Sequence, residues 1–202
     1  MSAAEGVRVI LEELDVPYEL VAATKDRSQP RSPEQLAINP NGWLPVLSWD
    51  GGAMYEAAAM AIYLCDKHPE AGLAPALDAP TRETYLQTLV YFSNSIQNAF
   101  QLNYYPDRFA DTPEDEDSAK RRGIRRLRET WGVIDAQIGR NHWILGDTFS
   151  AADIYLFMLT TWLSPSRGQP EVSEFPNVHR VAGQATGRPS VQRVYKELLA
   201  KS

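Results

Sequence analysis

The residues of this chain that could do chemistry unaided are few, and most of them read as structure. Asp147 and Asp153 are the nearest thing to a carboxylate pair for acid or base work. Ser150-Ala151-Ala152-Asp153, however, has the form of a capping box: Ser150 caps a helix, Asp153 reaches back to it, and Phe149 can serve as a hydrophobic staple. The single cysteine, Cys65, ends the apolar run 57–65, which suits a buried small hydrophobe better than a nucleophile. One cysteine also excludes an intramolecular disulfide and agrees with a reducing compartment. His68, His142 and His179 are scattered, with no carboxylate or cysteine at metal-ligand spacing. The glycines of residues 139–146 are followed by no lysine-serine or lysine-threonine pair, so they make no phosphate loop, and no nucleophile elbow occurs.

Composition narrows the classes further. With 44% hydrophobic and 23% charged residues in 202, the chain has the makeup of a globular protein, and its length allows one large domain or two small ones. A net charge of -6 opposes binding to nucleic acid. The basic stretch Lys120-Arg121-Arg122 with Arg125, Arg126 and Arg128 follows an acidic run at 114–117, the pattern of a solvated helix that complements its own dipole, with a basic site for an anionic substrate as the other reading. No basic-then-apolar leader and no long uncharged run occur, so the expectation is a cytoplasmic protein that does not span a membrane.

The elements that would position a site follow from periodicity. Residues 6–14 place Val7, Ile10, Leu11 and Leu14 on one helical face, and the helix must stop by Pro17. Residues 18–21 alternate well enough for a short strand. The polar stretch 24–33 predicts an irregular connection, with a weak helix near 33–38. Asn39-Pro40-Asn41-Gly42 is a turn signal leading to a hairpin, whose strands are 44–49 and 53–55 and whose Pro45 needs a strand end or an edge. A second helix is predicted from residue 56 or 57 to 67, and residues 70–80, with Pro75 and Pro80, read as a linker. Beyond it the pattern is helical throughout: 81–103 as one long helix, then 113–138, 151–162, 176–186 and 189–199.

Four stretches in this order resemble the cytosolic glutathione transferase superfamily. Residues 7–18 (VRVILEELDVPY) are similar to its first helix and the passage to its second strand, and residues 39–47 (NPNGWLPVL) to its glycine turn and cis-proline loop. Residues 55–64 (YEAAAMAIYL) resemble the start of its glutamate-serine helix, and residues 149–154 (FSAADI) its helical-domain capping motif. The resemblance implies the glutathione transferase fold: a thioredoxin-like α/β domain at 1–72 that binds glutathione and an all-α domain at 81–202. It also implies a cytoplasmic homodimer acting on a small-molecule electrophile, with glutathione as co-substrate and its thiol activated for attack.

Residue by residue, the resemblance implies that Leu44, before a cis-Pro45, offers its main chain to the cysteinyl part of glutathione. Glu56 would meet the γ-glutamyl group. Trp43, where relatives often carry a polar or basic residue, has two readings: its ring meets the cysteinylglycine portion, or it is a packing tryptophan. Ala57 stands where the family has serine, so one hydroxyl donor is missing. Only five residues precede Gly6, where relatives have a strand and the catalytic loop after it, so the expectation is that both are absent, through a shortened chain, a naturally short one with an altered sheet, or a partner that fills the gap; Ser2 is the one hydroxyl near that loop, with a helix cap or a disordered end as its other readings. Tyr91, Asn94, Ser95 and Asn98 have spacings compatible with one face, and Gln101, Asn103, Tyr104 and Tyr105 follow at the helix end; these residues have two readings, lining of the pocket for the second substrate, or Tyr91 packing in an interdomain or subunit contact while the asparagines bridge water. The competing class is a catalytically inactive scaffold or binding protein of the same fold.

Overall fold

A computed structural model describes residues 2–23 and 30–200. The first helix, α1 (Ala4–Glu13), is amphipathic as its spacing predicts, with Val7, Val9, Ile10 and Leu11 buried. After it the chain runs without regular structure, so the strand expected at 18–21 does not form. The cause is the lack of a neighbour. A strand needs a ladder partner for its backbone, and here Leu20 is 60% and Val21 82% exposed. Tyr18 is held instead by its side chain, its hydroxyl donating to Glu12 Oε1 at 2.9 Å. The expected irregular connection falls mostly on residues 24–29, outside the described residues.

Helix α2 (Pro33–Ile38) starts with Ser32 accepting from the Gln35 N–H at 3.2 Å and with Pro33 in its first turn. Strands β1 (Val46–Trp49) and β2 (Gly52–Tyr55) pair antiparallel, with Val46 opposite Tyr55 and Trp49 opposite Gly52. Among the described residues they form the whole sheet. Pro45 stands just ahead of β1, so its missing N–H costs no ladder bond. Helix α3 (Ala57–Lys67) follows β2 directly and buries Met60, Ala61, Leu64 and Cys65.

With only two strands in the sheet, α1 finds its cover among helices. It packs against α3 and against α7 (Ala151–Thr160) and α9 (Pro189–Val194) of the second half. Gly6 permits the close crossing with α7, because a Cβ there would lie 2.6 Å from the Met158 sulfur. Polar clamps border this contact: Glu13 accepts from Arg188 and Ser190, and Glu12 from Arg193 Nε at 2.7 Å. Asp66 on α3 receives Arg82 bidentately, both distances 2.7 Å.

The second half is helical, as predicted. The expected single helix at 81–103 is interrupted: α4 (Arg82–Tyr91) passes into a π-helical turn, Phe92–Ile96, where the Gln97 N–H bonds the Phe92 carbonyl five residues back, and α5 (Gln97–Tyr104) resumes. Helix α6 (Glu116–Ile138) is preceded by a 3₁₀ turn, and α7 is buried on every side except at its last residue. Helix α8 (Pro176–Ala185) and α9 follow, and the last predicted helix breaks at Tyr195 before α10 (Lys196–Leu199). The basic face of α6 is solvated: Lys120 pairs with Asp117 at 3.1 Å, and Arg128 with Glu174 at 3.2 Å.

Candidate functional site

One wall of a cleft between the two halves is the turn between α2 and β1. Gly42 adopts φ 67°, a left-handed conformation that suits glycine, and its carbonyl accepts from Arg31 Nε and Gln35 Nε2, each at 3.0 Å. Asn39, 3% exposed, accepts from the Asn41 N–H and donates to the Trp43 carbonyl at 3.0 Å. These bonds fix the turn and deliver Leu44 and Pro45 to the cleft across a cis peptide bond. Among the described residues the Leu44 N–H and C=O have no protein partner, although Leu44 is half-buried. A main-chain edge in that state is ready to pair with an extended ligand.

Next to it, α3 points its amino end into the same cleft. Glu56 precedes the helix with φ 75°, unusual for a residue with a side chain, and makes no side-chain cap bond. The first-turn N–H groups of α3 are therefore open, and the exposed Glu56 carboxylate lies beside them. Donors and an acceptor so close together fit a zwitterionic end group: carboxylate at the helix end, ammonium at Glu56.

The opposite wall is α5 and the segments around it. Ser93, Gln97, Phe100, Gln101 and Tyr104 face the cleft, with Tyr105, Arg108 and Trp162 around them, and the space enclosed is about 370 Å³. That is enough for a small organic ligand. The Tyr104 hydroxyl donates to the Trp162 carbonyl at 2.7 Å, so Tyr104 turns its ring to the cleft and not a free O–H. Tyr155, on the buried α7, donates to Gln97 Oε1, and burial pushes its phenol well above the ordinary range, so it stays neutral.

The cleft thus brings together Ser2, Trp43, Leu44, Pro45, Glu56, Ala57, Tyr104 and Tyr105. Ser2 Oγ accepts from the Ala4 N–H at 3.1 Å, which leaves its own proton free to donate. Tyr91, Asn94 and Asn98 lie elsewhere. Asn94 and Asn98 line a second, polar groove with Arg122, Arg125 and Arg126 of α6, and Tyr91, its phenol raised by partial burial, neighbours Arg126 and Glu129. Two polar stripes run along the π turn and α5, one at 93, 97, 101 and 104 and one at 94, 95 and 98, and polarity alone does not tell which faces the cleft. The π turn further breaks the phase between Tyr91 and the residues beyond it. Arg31 and Arg108 carry no sequence signal, because what brings them to the cleft is the folding of the chain around it.

Asp153 and Cys65 are structural, as their contexts predict. Asp153 accepts from the Ile144 N–H at 2.9 Å and from the Ser150 N–H and hydroxyl at 2.8 and 2.9 Å, and its burial pushes its carboxyl up to about 6. Burial pushes the Cys65 thiol up to about 12. Among the described residues no cluster of histidine, cysteine and carboxylates could hold a metal, and no helix is long and apolar enough to cross a membrane.

Comparison with known proteins agrees with this architecture. The family model described as the glutathione S-transferase N-terminal domain matches residues 3–72, and that of the C-terminal domain residues 117–184. Glutathione S-transferase GstB of Escherichia coli K12 is 26% identical over 193 residues, 93% of this chain and 90% of GstB. A glutathione transferase homologue from Sulfitobacter, solved with bound glutathione, superposes with a TM-score of 0.87 at 25% identity, covering 97% of this chain and 93% of its own. A sphingomonad glutathione S-transferase complexed with glutathione gives 0.80 at 25% identity, over 97% and 94%. Matched in both halves by family models and over nearly its whole length by these structures, the chain belongs to the glutathione S-transferase superfamily.

Proposed function

We propose that this protein binds glutathione in the cleft between its two halves and activates the thiol for attack on a small, partly hydrophobic electrophile. The observation that carries this reading is the placement of Leu44's unpartnered main chain, Glu56 and the open amino end of α3 along one wall. The tripeptide's cysteinyl main chain would pair with the Leu44 N–H and C=O. Its γ-glutamyl carboxylate would sit on the α3 N–H groups and its ammonium against Glu56. Two of the similar structures, from Sulfitobacter and a sphingomonad, contain glutathione, which supports that occupant.

A thiol becomes an effective nucleophile as thiolate, so the site must favour the charged form. Ser2 is the hydroxyl on hand: its Oγ takes a backbone proton from Ala4 and can donate its own to the sulfur. The thiolate then forms the new carbon–sulfur bond, and the leaving group departs with its electron pair. The aromatic rings of Phe100, Tyr104 and Trp162 supply apolar contact for the electrophile. The reading takes the protein as a cytoplasmic homodimer, a state that light scattering after gel filtration tests.

The thiolate's ultraviolet absorbance, titrated against pH in the complex, tests the chemistry. A bound thiol that ionises well below free glutathione, and less so in Ser2→Ala, agrees with activation. Binding without any such shift supports the second reading, a catalytically inactive binding protein, which Ala57 in place of a hydroxyl donor favours.

A further inference from the structure

Among the described arginines of the second half, Arg108 alone lines the cleft. It follows α5 in a short turn, Pro106–Arg108, at the rim of the cleft. Its guanidinium carbon lies 4.4 Å from the centre of the Tyr105 ring and 5.3 Å from the centre of the Trp43 ring. Trp43 belongs to the first half and Tyr105 to the second, so the three side chains span the cleft mouth. Trp43 is 46% exposed, and this cation is what its ring meets on that side. Among the described residues Arg108 has no carboxylate partner, a state it shares with Arg167, whose guanidinium is taken up by Asn103, whereas Arg82, Arg126, Arg128, Arg188 and Arg193 each have one.

A guanidinium over ring faces keeps its N–H donors free, because they point outward in its own plane. Such an edge accepts a carboxylate in fork geometry. Below it the cleft is aromatic: Phe100 meets Trp162 edge-on at 5.7 Å and Tyr104 at 6.2 Å, and the Tyr104 hydroxyl is spent on a carbonyl. Apolar rings with a cation at one end match a planar ligand that is apolar along its body and anionic at its tip.

From this arrangement we infer that the second substrate is an aromatic electrophile carrying a carboxylate or similar anionic group, which Arg108 captures at the rim while the ring lies against Phe100, Tyr104 and Trp162. The inference rests on the glutathione-dependent reading for its chemistry but not for its binding. In the reaction the glutathione thiol gives its proton to solvent, its sulfur bonds the activated ring carbon, and a halide leaves with the bonding pair.

The test uses a chloronitrobenzoate with chlorine ortho to the nitro group, beside its uncharged carboxamide. Calorimetric titration of each into the folded chain without glutathione is expected to show the benzoate binding about fivefold tighter, the scale of a partly exposed ion pair. Arg108→Gln removes that preference, Arg108→Lys keeps part of it, and both variants bind glutathione as the unaltered chain does. With glutathione present, kcat/KM relative to the uncatalysed rate follows the same order. Equal binding of benzoate and carboxamide overturns the inference. So does an Arg108→Gln variant that loses glutathione affinity and keeps the benzoate, which would assign Arg108 to the tripeptide. A chain that gives no heat with glutathione and still prefers the benzoate through Arg108 sinks the glutathione reading and, with it, the substrate role, and leaves the anionic aromatic site at Arg108 standing.

Discussion

Two carboxylates stand at the start of buried helices in this molecule, and their surroundings are opposite. Asp153, in the first turn of α7, is fully buried and accepts from two backbone N–H groups and one hydroxyl. Glu56, just before α3, is exposed, caps nothing and holds its backbone at φ 75°. Buried acceptors with every partner in place build a fold. An exposed carboxylate beside open helix N–H groups, on an unfavourable backbone, is where the proposed ligand would act.

The comparison breaks first if Asp153 proves dispensable. Asp153→Ala orphans the Ile144 and Ser150 N–H groups and leaves a void, so it should lower unfolding free energy by about 3 kcal/mol, read from urea denaturation. The pH dependence sharpens the same point. Burial raises the Asp153 carboxyl from its ordinary 3.8 to about 6, so between those values the folded chain holds a proton that the unfolded chain has released. Its contribution to stability is therefore complete below about 3.8 and lost as pH rises through about 6. The slope has a ceiling of about 1.4 kcal/mol per pH unit. Asp153→Asn removes that slope, which denaturation at a series of pH values checks.

At Glu56 the effects on stability are smaller and opposite in sign. Glu56→Gly relaxes the positive φ and should raise stability by about 1 kcal/mol over Glu56→Ala in the same denaturation assay. Ala57→Ser restores a hydroxyl at the first position of α3. The gain expected is about 0.5–1.5 kcal/mol in glutathione affinity, measured by calorimetry with little change in folding stability.

The same contrast governs what could be read in advance. The capping box at 150–153 was legible because its partners are neighbours in sequence, and so were the turn at 39–42 and the helix beginning at Ala57. The strand expected at 18–21 was not, since alternation reports a pattern and not the presence of a pairing neighbour. On the glutathione side, the family resemblance pointed to Trp43, Leu44, Pro45, Glu56 and Ala57, and these do converge on one cleft. On the helical side Tyr104 and Tyr105 reach it, while Asn94 and Asn98 turn to α6. The π turn that changes the helical phase at 92–96 has no local signature comparable to a cap or a glycine turn.

If Glu56 serves a ligand and Asp153 the fold, removing each side chain should be felt in a different assay. Calorimetric titration of the folded chain and of Glu56→Ala with reduced glutathione tests it most directly. Saturable binding is expected, weakening about tenfold in Glu56→Ala through the loss of one charge-assisted contact, with the unfolding midpoint little changed. Equal affinity in the two proteins, or no binding to a folded chain, would contradict it.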